Sequence, residues 1–497
     1  MTDTPGKIAN RSSSECKKSA APLLTFGVVS DLHVRRVADG CDEPGCDCGC
    51  GAFRRALEWF RDQGVDAVVV PGDLSDIGLD EGLMAVAETW FSVFPDDRLP
   101  DGRHVERIIV TGNHDWEGYR YGGHAAAVYP DEAELRRHSI RFDIRGWWRK
   151  AFREEYSPFF EKTVKGYRFV CANWDTGTPD DPAGDAGRPF ARIAGWLAAN
   201  GPALDPAKPF FYIQHPHPKG TCHGPNAWGH DDGASTVALS AWPNAVAISG
   251  HSHLPLTDGR AVWQGAFTSV GAGGMQRTGL PFRDHPPAGF ENSAEDKENW
   301  RLGATKTMDV FDRHDCRQGS LWRVFDDRIV VRRREFVSGL DLGPDWTIPF
   351  PAKAQRGASV FGDQEAMASP PSFPPGASLR VDRVLATTRG GKSPDGKETV
   401  PPEAKACFKI IAPSAVKDED ARLWELEFTA ETEDGAKKTK LVVPEGFNHA
   451  LAHPKVSAPS FCLFARSELG KGRIRFTATP VNCFGERGVP LSIFVNP

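Results

Sequence analysis

Five short apolar runs along the chain stop abruptly at residues that can hold a metal ion. LLTFGVVS runs into Asp31-Leu32-His33, DAVVVP into Gly72-Asp73, RIIVT into Gly112-Asn113-His114-Asp115, FFYIQ into His215-Pro216-His217, and AVAIS into Gly250-His251-Ser252-His253. Continuous apolar runs of this length, rich in β-branched residues, read as strands buried on both faces, and Pro71-Gly72 ends one of them at once. Each polar cluster then sits at a strand's carboxyl end, where open α/β sheets place ligands. Residues 52–63 carry a helical period, with Phe53, Ala56, Leu57 and Phe60 on one face and Gly64 closing the segment. Flanked by two of the runs, that helix makes a βαβ unit, so the flanking strands should be parallel. Residues 83–94 and 191–199 predict further helices, the latter with Ile193 and Trp196-Leu197 inward, and 107–110 and 167–173 further strands.

The later pattern is different. Residues 261–273 and 307–312 read as sheet segments, and 319–337 as a hairpin with Asp326-Asp327 at its turn and Arg332 to Arg334 on a solvated face. The stretch 277–303 between them is polar and reads as a surface loop. Residues 349–378 are rich in Pro, Ala and Ser without periodicity, as in a linker. From 379 to 497, short alternating segments (CFKIIA, LWELEFTAET, KTKLVVP, SFCLFARSEL, RIRFTATPVN, LSIFVN) recur at the spacing of an antiparallel β-sandwich. Its closing stretch, 472–495, resembles the last hairpin of a fibronectin type III-like module. At the other end, residues 1–22 are polar and read as a disordered lead-in. The division is therefore a lead-in at 1–22, an α/β unit at 23–348 with a cap-like insertion at about 119–160, a linker at 349–378 and an all-β unit at 379–497. The insertion is rich in aromatics and charge, with Trp147-Trp148, Arg141, Arg145 and Arg149. It could recognise a leaving group, but the expected role is a helical excursion whose tryptophans pack on the domain.

Composition narrows the function. With 497 residues, 40% of them hydrophobic and 25% charged, the chain has ample material for two or three globular units. A net charge of −6 argues against a surface that coats a nucleic-acid polymer. No apolar run reaches the roughly 18 residues of a membrane span. The stretch 23–29 is no secretory leader, since charge follows it at once. On its literal sequence the chain reads as cytoplasmic, and one trimmed of a leader would read the same. Eleven cysteines include Cys41, Cys46, Cys48 and Cys50 in one Gly-rich loop. Their alternate spacing suits one tetrahedral ion poorly, and incidental thiols are the expected reading.

Carboxylate, amide oxygen and imidazole suit Mn, Fe, Zn or Mg, and no thiolate stands among the strand-end residues. Two aspartates, an asparagine and several histidines are too many for one ion. Two ions sharing a carboxylate, roughly 3.5–4 Å apart, fit better, in the arrangement that serves phosphate esters. Of the paired histidines, His215 follows its strand directly and is the expected ligand, leaving His217 for substrate. His223 and His230 fall in a loop and are expected to be merely exposed.

The ordered blocks Asp31-x-His33, Gly72-Asp73-x-x-Asp76, Gly112-Asn113-His114-Asp115, His215 and Gly250-His251-x-His253 resemble the calcineurin-like metallophosphoesterases over about residues 24–270. The resemblance implies an α/β, four-layer αββα sandwich of two mixed sheets, here followed by the second, all-β sandwich. It also implies a binuclear centre of two divalent or mixed-valence transition metal ions (Mn, Fe or Zn). Asp31, His33, Asp73 and His253 would hold one ion, and Asp73, Asn113, His215 and His251 the other. His114 would be general acid or transition-state stabiliser, with Asp115 orienting it, and Asp76 would join His217 toward substrate. The implied reaction is hydrolysis of a small phosphomonoester or phosphodiester by in-line attack of a hydroxide shared by the ions. A pyrophosphatase or nucleotide hydrolase, or a non-catalytic binding scaffold on the same fold, is the alternative. Ser75-Asp76-Ile77 offers no tyrosine ligand, so the charge-transfer iron centre of a purple acid phosphatase is not expected. Asp76 also lacks the arginine that follows it in the phosphoprotein phosphatase branch, and no nucleotidase-type C-terminal domain is recognisable.

Overall fold

The computed structural model describes residues 21–34, 50–76, 78, 80–117, 143–175, 189–225, 227–276, 317–350, 361, 365, 368–387, 391–392, 399–401, 404–413, 424–442 and 460–496. The chain opens with β1 (Leu24–Val28), α1 (Cys50–Asp62), β2 (Ala67–Pro71), α2 (Asp80–Val93), β3 (Glu106–Val110) and the short α3 (Asn113–Glu117). Every residue of β2 is buried, as its unbroken apolar run requires. β1, β2 and β3 pair in parallel, so the βαβ expectation holds. The face of α1 that carries Phe53, Ala56, Leu57 and Phe60 is buried, and Gly64 turns the chain at φ +65°. Gly27 of β1 leaves the space that the Phe60 ring fills. Asp80 and Glu81 in the first turn of α2 meet the positive end of its dipole.

Next come α4 (Ile144–Phe152), β4 (Phe159–Val164), β5 (Tyr167–Ala172), α5 (Arg192–Asn200), β6 (Phe210–Ile213), α6 (Ala234–Leu239), β7 (Ala245–Ser249), β8 (Val262–Gln264) and β9 (Thr268–Gly271). The α/β part closes with β10 (Gln318–Val324), β11 (Arg328–Glu335) and β12 (Trp346–Pro349). One six-stranded sheet runs β12-β11-β10-β1-β2-β3 and the other β4-β5-β6-β7-β9-β8, and both are mixed. Phe26, Val28, Val69 and Ile108 of the first pack on Phe169, Phe211, Ile213 and Val246 of the second. α1, α2 and α4 cover the first sheet's outer face, and α5 and α6 contribute Ile193, Leu197 and Leu239 to a core on the second's. These are the four layers αββα.

Within the 119–160 insertion, only 143–160 are described. Asp143 caps α4 by accepting from the Gly146 N–H at 2.9 Å. Trp148 is buried in the α1/α2 core, with Trp147 packed against it, so the tryptophans do pack on the domain. The 319–337 hairpin is present as β10 and β11, but Arg333 corrects its expected solvated face. Its guanidinium is buried, donates to the Leu256 carbonyl at 2.7 Å and stacks over Trp346. The cause is the strand's alternation: Arg333 shares the inward face with Ile329 and Val331, while Arg332 and Arg334 lie on the other face and pair with Asp341. The expected strand at 307–312, the loop at 277–303, the lead-in and Cys41, Cys46 and Cys48 lie outside the described residues.

Beyond the α/β part, β13 (Arg380–Thr387), β14 (Gly391–Lys392), β15 (Thr399–Val400), β16 (Ala404–Ala412), β17 (Trp424–Thr432), β18 (Lys437–Val442), β19 (Ser460–Ala465), β20 (Ile474–Asn482) and β21 (Leu491–Val495) follow. Sheets β13-β16-β19 and β18-β17-β20-β21 face each other over Phe408, Ile410, Phe428, Phe464 and Phe476. This is the expected antiparallel sandwich, and β20 and β21 form its closing hairpin.

Candidate metal centre

β1, β2, β3, β6 and β7 are neighbours in two facing sheets, so the clusters at their carboxyl ends converge. Asp31, His33, Asp73 and His215 are all buried, His253 nearly so. His33 Nε2 lies 2.9 Å from His253 Nε2 and 3.5 Å from Asp73 Oδ2. His253 Nε2 is 3.2 Å from Asp31 Oδ1. On the other side of Asp73, His215 Nε2 stands 3.1 Å from Asp73 Oδ2 and 3.1 Å from His251 Nδ1. Asp31, His33, Asp73 and His253 thus offer ligand atoms within 4.8 Å of one another, as do Asp73, His215 and His251. Asp73 belongs to both sets. Imidazole nitrogens aimed at each other in a buried pocket are poorly placed for one another and well placed around a cation. The donor set of oxygen and imidazole therefore fits two borderline-hard divalent ions.

The backbone is bent to achieve this. Among the described residues, ten non-glycine residues have positive φ, and five of them are Asp31, His33, Asp73, His251 and His253. Left-handed backbone at a side-chain-bearing residue costs on the order of 1 kcal/mol or more, and such strain gathers at functional sites. The glycines beside them are space as much as hinge. A Cβ on Gly72, at φ +102°, would overlap the His215 ring, and one on Gly112 would overlap Asp73.

Electrostatics follows from burial. Burial drives His33 down to about 4, against the pull of Asp76 and Asp73, and His251 down to about 3. Both are neutral at pH 7, the form that ligates. Burial works the same way on His215, but the Asp73 carboxylate overrides it and holds His215 up to about 9.

Hydrogen bonds fix the residues around the two ligand sets. Asp76 is buried, and its Oδ1 lies 3.1 Å from His33 Nδ1, fixing that ring's orientation. His114 Nδ1 lies 2.8 Å from the Asp76 carbonyl, which can only accept, so the backbone there orients His114. Asp115 is fully buried beside it in sequence. Its carboxylate accepts from the Ser75, Gly112 and Leu74 N–H groups at 2.8, 2.8 and 3.2 Å, tying the loop after β2 to the loop after β3. Burial and then the Asp73 charge push Asp115 up to about 7, while those three N–H groups pull against them. Asn113 opens α3, and the following His114 N–H donates to Asp73 Oδ1 at 3.0 Å.

His217 is buried, with Nδ1 2.6 Å from Ser249 Oγ and Nε2 2.7 Å from Ser252 Oγ. Both nitrogens are engaged in supporting the turn that carries His251 and His253. His223 and His230 are not merely exposed. His223 is buried, 3.0 Å from Asp258 Oδ2, which also takes the Arg260 guanidinium, and His230 Nε2 donates to the Cys222 carbonyl. No spacing rule announced these partners, which lie up to 37 residues away in sequence. Trp228 and Trp174 also escaped the sequence reading: their rings lie 4.4 and 5.7 Å from that of His251.

A family model described as calcineurin-like phosphoesterase matches residues 24–255. Among solved structures, the chain is similar to a dimetal phosphatase from Danio rerio, at 15% identity over 66% of this chain and 99% of that one, with a TM-score of 0.37. It is similar also to a purple acid phosphatase from yellow lupin (Lupinus luteus) seeds, at 14% identity over 66% of this chain and 53% of that one, with a TM-score of 0.37. No curated protein matches the chain. The matched stretch contains both ligand sets whole, and residues 24–255 are a calcineurin-like phosphoesterase domain, followed in the chain by a separate β-sandwich.

Proposed function

We propose that the protein is a dimetal-dependent phosphoric ester hydrolase acting on small phosphomonoesters or phosphodiesters. The observation that carries this reading is the pair of ligand sets sharing Asp73, buried but for the half-buried His251. On this reading Asp31, His33, Asp73 and His253 would hold one ion, and Asp73, His215 and His251, joined by Asn113, the other. Two bound ions would supply charge neutralisation at the phosphoryl oxygens and an activated water at neutral pH.

The chain's own residues do the rest. Asp76 keeps the His33 ring turned with Nε2 inward. Ser249 and Ser252, through His217, keep the 250–253 turn in register. His114 Nδ1 must carry hydrogen to reach the Asp76 carbonyl, so the neutral ring presents a lone pair at Nε2. Only the imidazolium presents Nε2–H, and His114 acts in that form, donating the proton to the departing alkoxide.

The test is metal content together with hydrolysis of p-nitrophenyl phosphate and its diester counterpart, using protein loaded with Mn, Zn or Fe. Two ions per chain are expected, with turnover lost and at least one ion missing in Asp73→Asn. Loss of His114 in His114→Asn should lower kcat about 10²- to 10⁴-fold with both ions kept. Loaded protein that cleaves neither ester would sink the reading.

A further inference from the structure

We infer that Trp228 is a stacking platform for a flat aromatic group, an aryl ring or nucleobase, carried by the phosphate ester. This rests on the hydrolase reading of the site and names the class of substrate it takes. His251 belongs to the second ligand set, and its ring is covered by the Trp228 indole, with centroids 4.4 Å apart and planes inclined at 28°. Trp174 stands on the same imidazole at 5.7 Å and on His215 at 6.1 Å. The rim of the pocket on this side is therefore aromatic. Trp174 is partly buried against the domain core, whereas Trp228 is 39% exposed, among the few large hydrophobic residues that the described chain leaves to solvent.

An indole beside a polar, metal-ligating pocket needs a reason to stay there, and the loop provides one. The Gly229 carbonyl accepts from the His217 N–H at 2.7 Å, and the His217 carbonyl accepts from the Asp231 N–H at 2.8 Å, a β-bridge that fixes the chain next to Trp228. Gly229, at φ +90°, lies so close to Ser252 that a Cβ there would come within 3.0 Å of it. The indole is thus mounted on the turn that carries His251 and His253. A ring that stacks on the Trp228 indole holds its phosphoryl group on the side of the second ligand set, directly through the ester oxygen in an aryl phosphate and across the ribose in a nucleotide. Stacking on an indole is tolerant of ring identity but requires a flat π-face. Sugar and glycerol phosphates lack one.

The experiment compares wild type, Trp228→Ala and Trp228→Phe in the metal-loaded full chain. KM for p-nitrophenyl phosphate should rise about tenfold in Trp228→Ala, with kcat changed less than twofold, and Trp228→Phe should restore most of it. KM for glycerol 2-phosphate should stay within twofold in all three. An equal loss on both esters would make Trp228 a support for His251 and overturn the inference, as would no change on either. Binding separates this result from failure of the hydrolase reading. Adenosine monophosphate should quench indole fluorescence in wild type more than in Trp228→Phe, and inorganic phosphate should quench neither differently. If neither ester is cleaved but that differential quenching is present, the platform stands and the hydrolase reading falls. If both are cleaved and the differential is absent, the platform falls alone.

Discussion

At the scale of single residues, the site depends on groups that hold ligands as much as on the ligands. Asp115 is the clearest case, because its carboxylate satisfies three backbone N–H groups from two loops at once. Asp115→Ala leaves buried donors without an acceptor, at about 1–3 kcal/mol for each that water cannot reach. We expect a lower unfolding midpoint and weaker metal binding, with Asp115→Asn milder because its amide oxygen still accepts. Denaturant titration and competition with a chelator measure the two effects, and an unchanged midpoint in Asp115→Ala would show that the loops do not need the brace. Gly72 makes the complementary case by absence. At φ +102° and against the His215 ring, Gly72→Ala meets both backbone strain and a clash. Loss of one ion with a folded chain, read by elemental analysis and circular dichroism, is the expected outcome; two ions bound as in wild type would refute it.

At the scale of elements, the sequence was most legible where burial left no choice. The strands before Asp31, Asp73, Asn113, His215 and His251 were readable because a strand buried on both faces must be apolar throughout, and its end is then marked by the first polar residue. The same logic fails where polarity and burial coincide. Arg333 looks like its neighbours Arg332 and Arg334 in composition, but strand alternation puts it on the inward face with Ile329 and Val331, where the carbonyls of Leu256 and Pro344 accept its guanidinium. His223 and His230 read as loop residues because Asp258, Arg260 and Cys222 reach them through the fold. These loop histidines carry a prediction. Burial, then neighbouring histidines, hold His217 well below its ordinary range; burial also lowers His223, against the pull of Asp258, and His230. For a histidine whose folded value is lowered, the unfolded chain binds more protons below about pH 6.5. Its stabilising contribution is therefore complete above that pH and shrinks as pH falls toward the folded value, at up to about 1.4 kcal/mol per pH unit for each group. Acid destabilisation should begin near pH 6.5, well above the carboxylate range. Melting curves from pH 7.5 to 5 at fixed metal loading should show a shallower decline in His223→Gln than in wild type; parallel declines would mean that the buried imidazoles are not the cause.

At the scale of the whole molecule, the apolar clusters of the α/β layers and those of the C-terminal sheets share no residue among the described residues. The αββα layers enclose apolar side chains between the sheets and under the helices on either side, and the C-terminal sheets enclose others around Phe408, Phe428, Phe464 and Phe476. The Phe484 ring, from the turn after β20, lies where a side chain on Gly259 would be, beside Asp258 and Arg260. Chains with separately enclosed cores unfold as separate units unless the contact between them is extensive. Metal linkage can tell the two transitions apart. An ion that binds only the folded phosphoesterase unit raises the stability of that unit by about 2.7 kcal/mol per site at a hundred times its dissociation constant, and gives nothing to a unit without ligands. Calorimetry of the full chain should therefore show two transitions, with added Mn or Zn moving one to higher temperature and leaving the sandwich transition where it was. In Asp73→Asn the metal-dependent shift should shrink or vanish while the sandwich transition is untouched. Phe484→Ala should bring the midpoints no closer, because it removes part of a contact and no part of either core. A single transition that moves as a whole with metal would mean that the Gly259–Phe484 contact and its surroundings couple the two cores into one cooperative unit, and the boundary near residues 349–378 would then divide the sequence without dividing the folding.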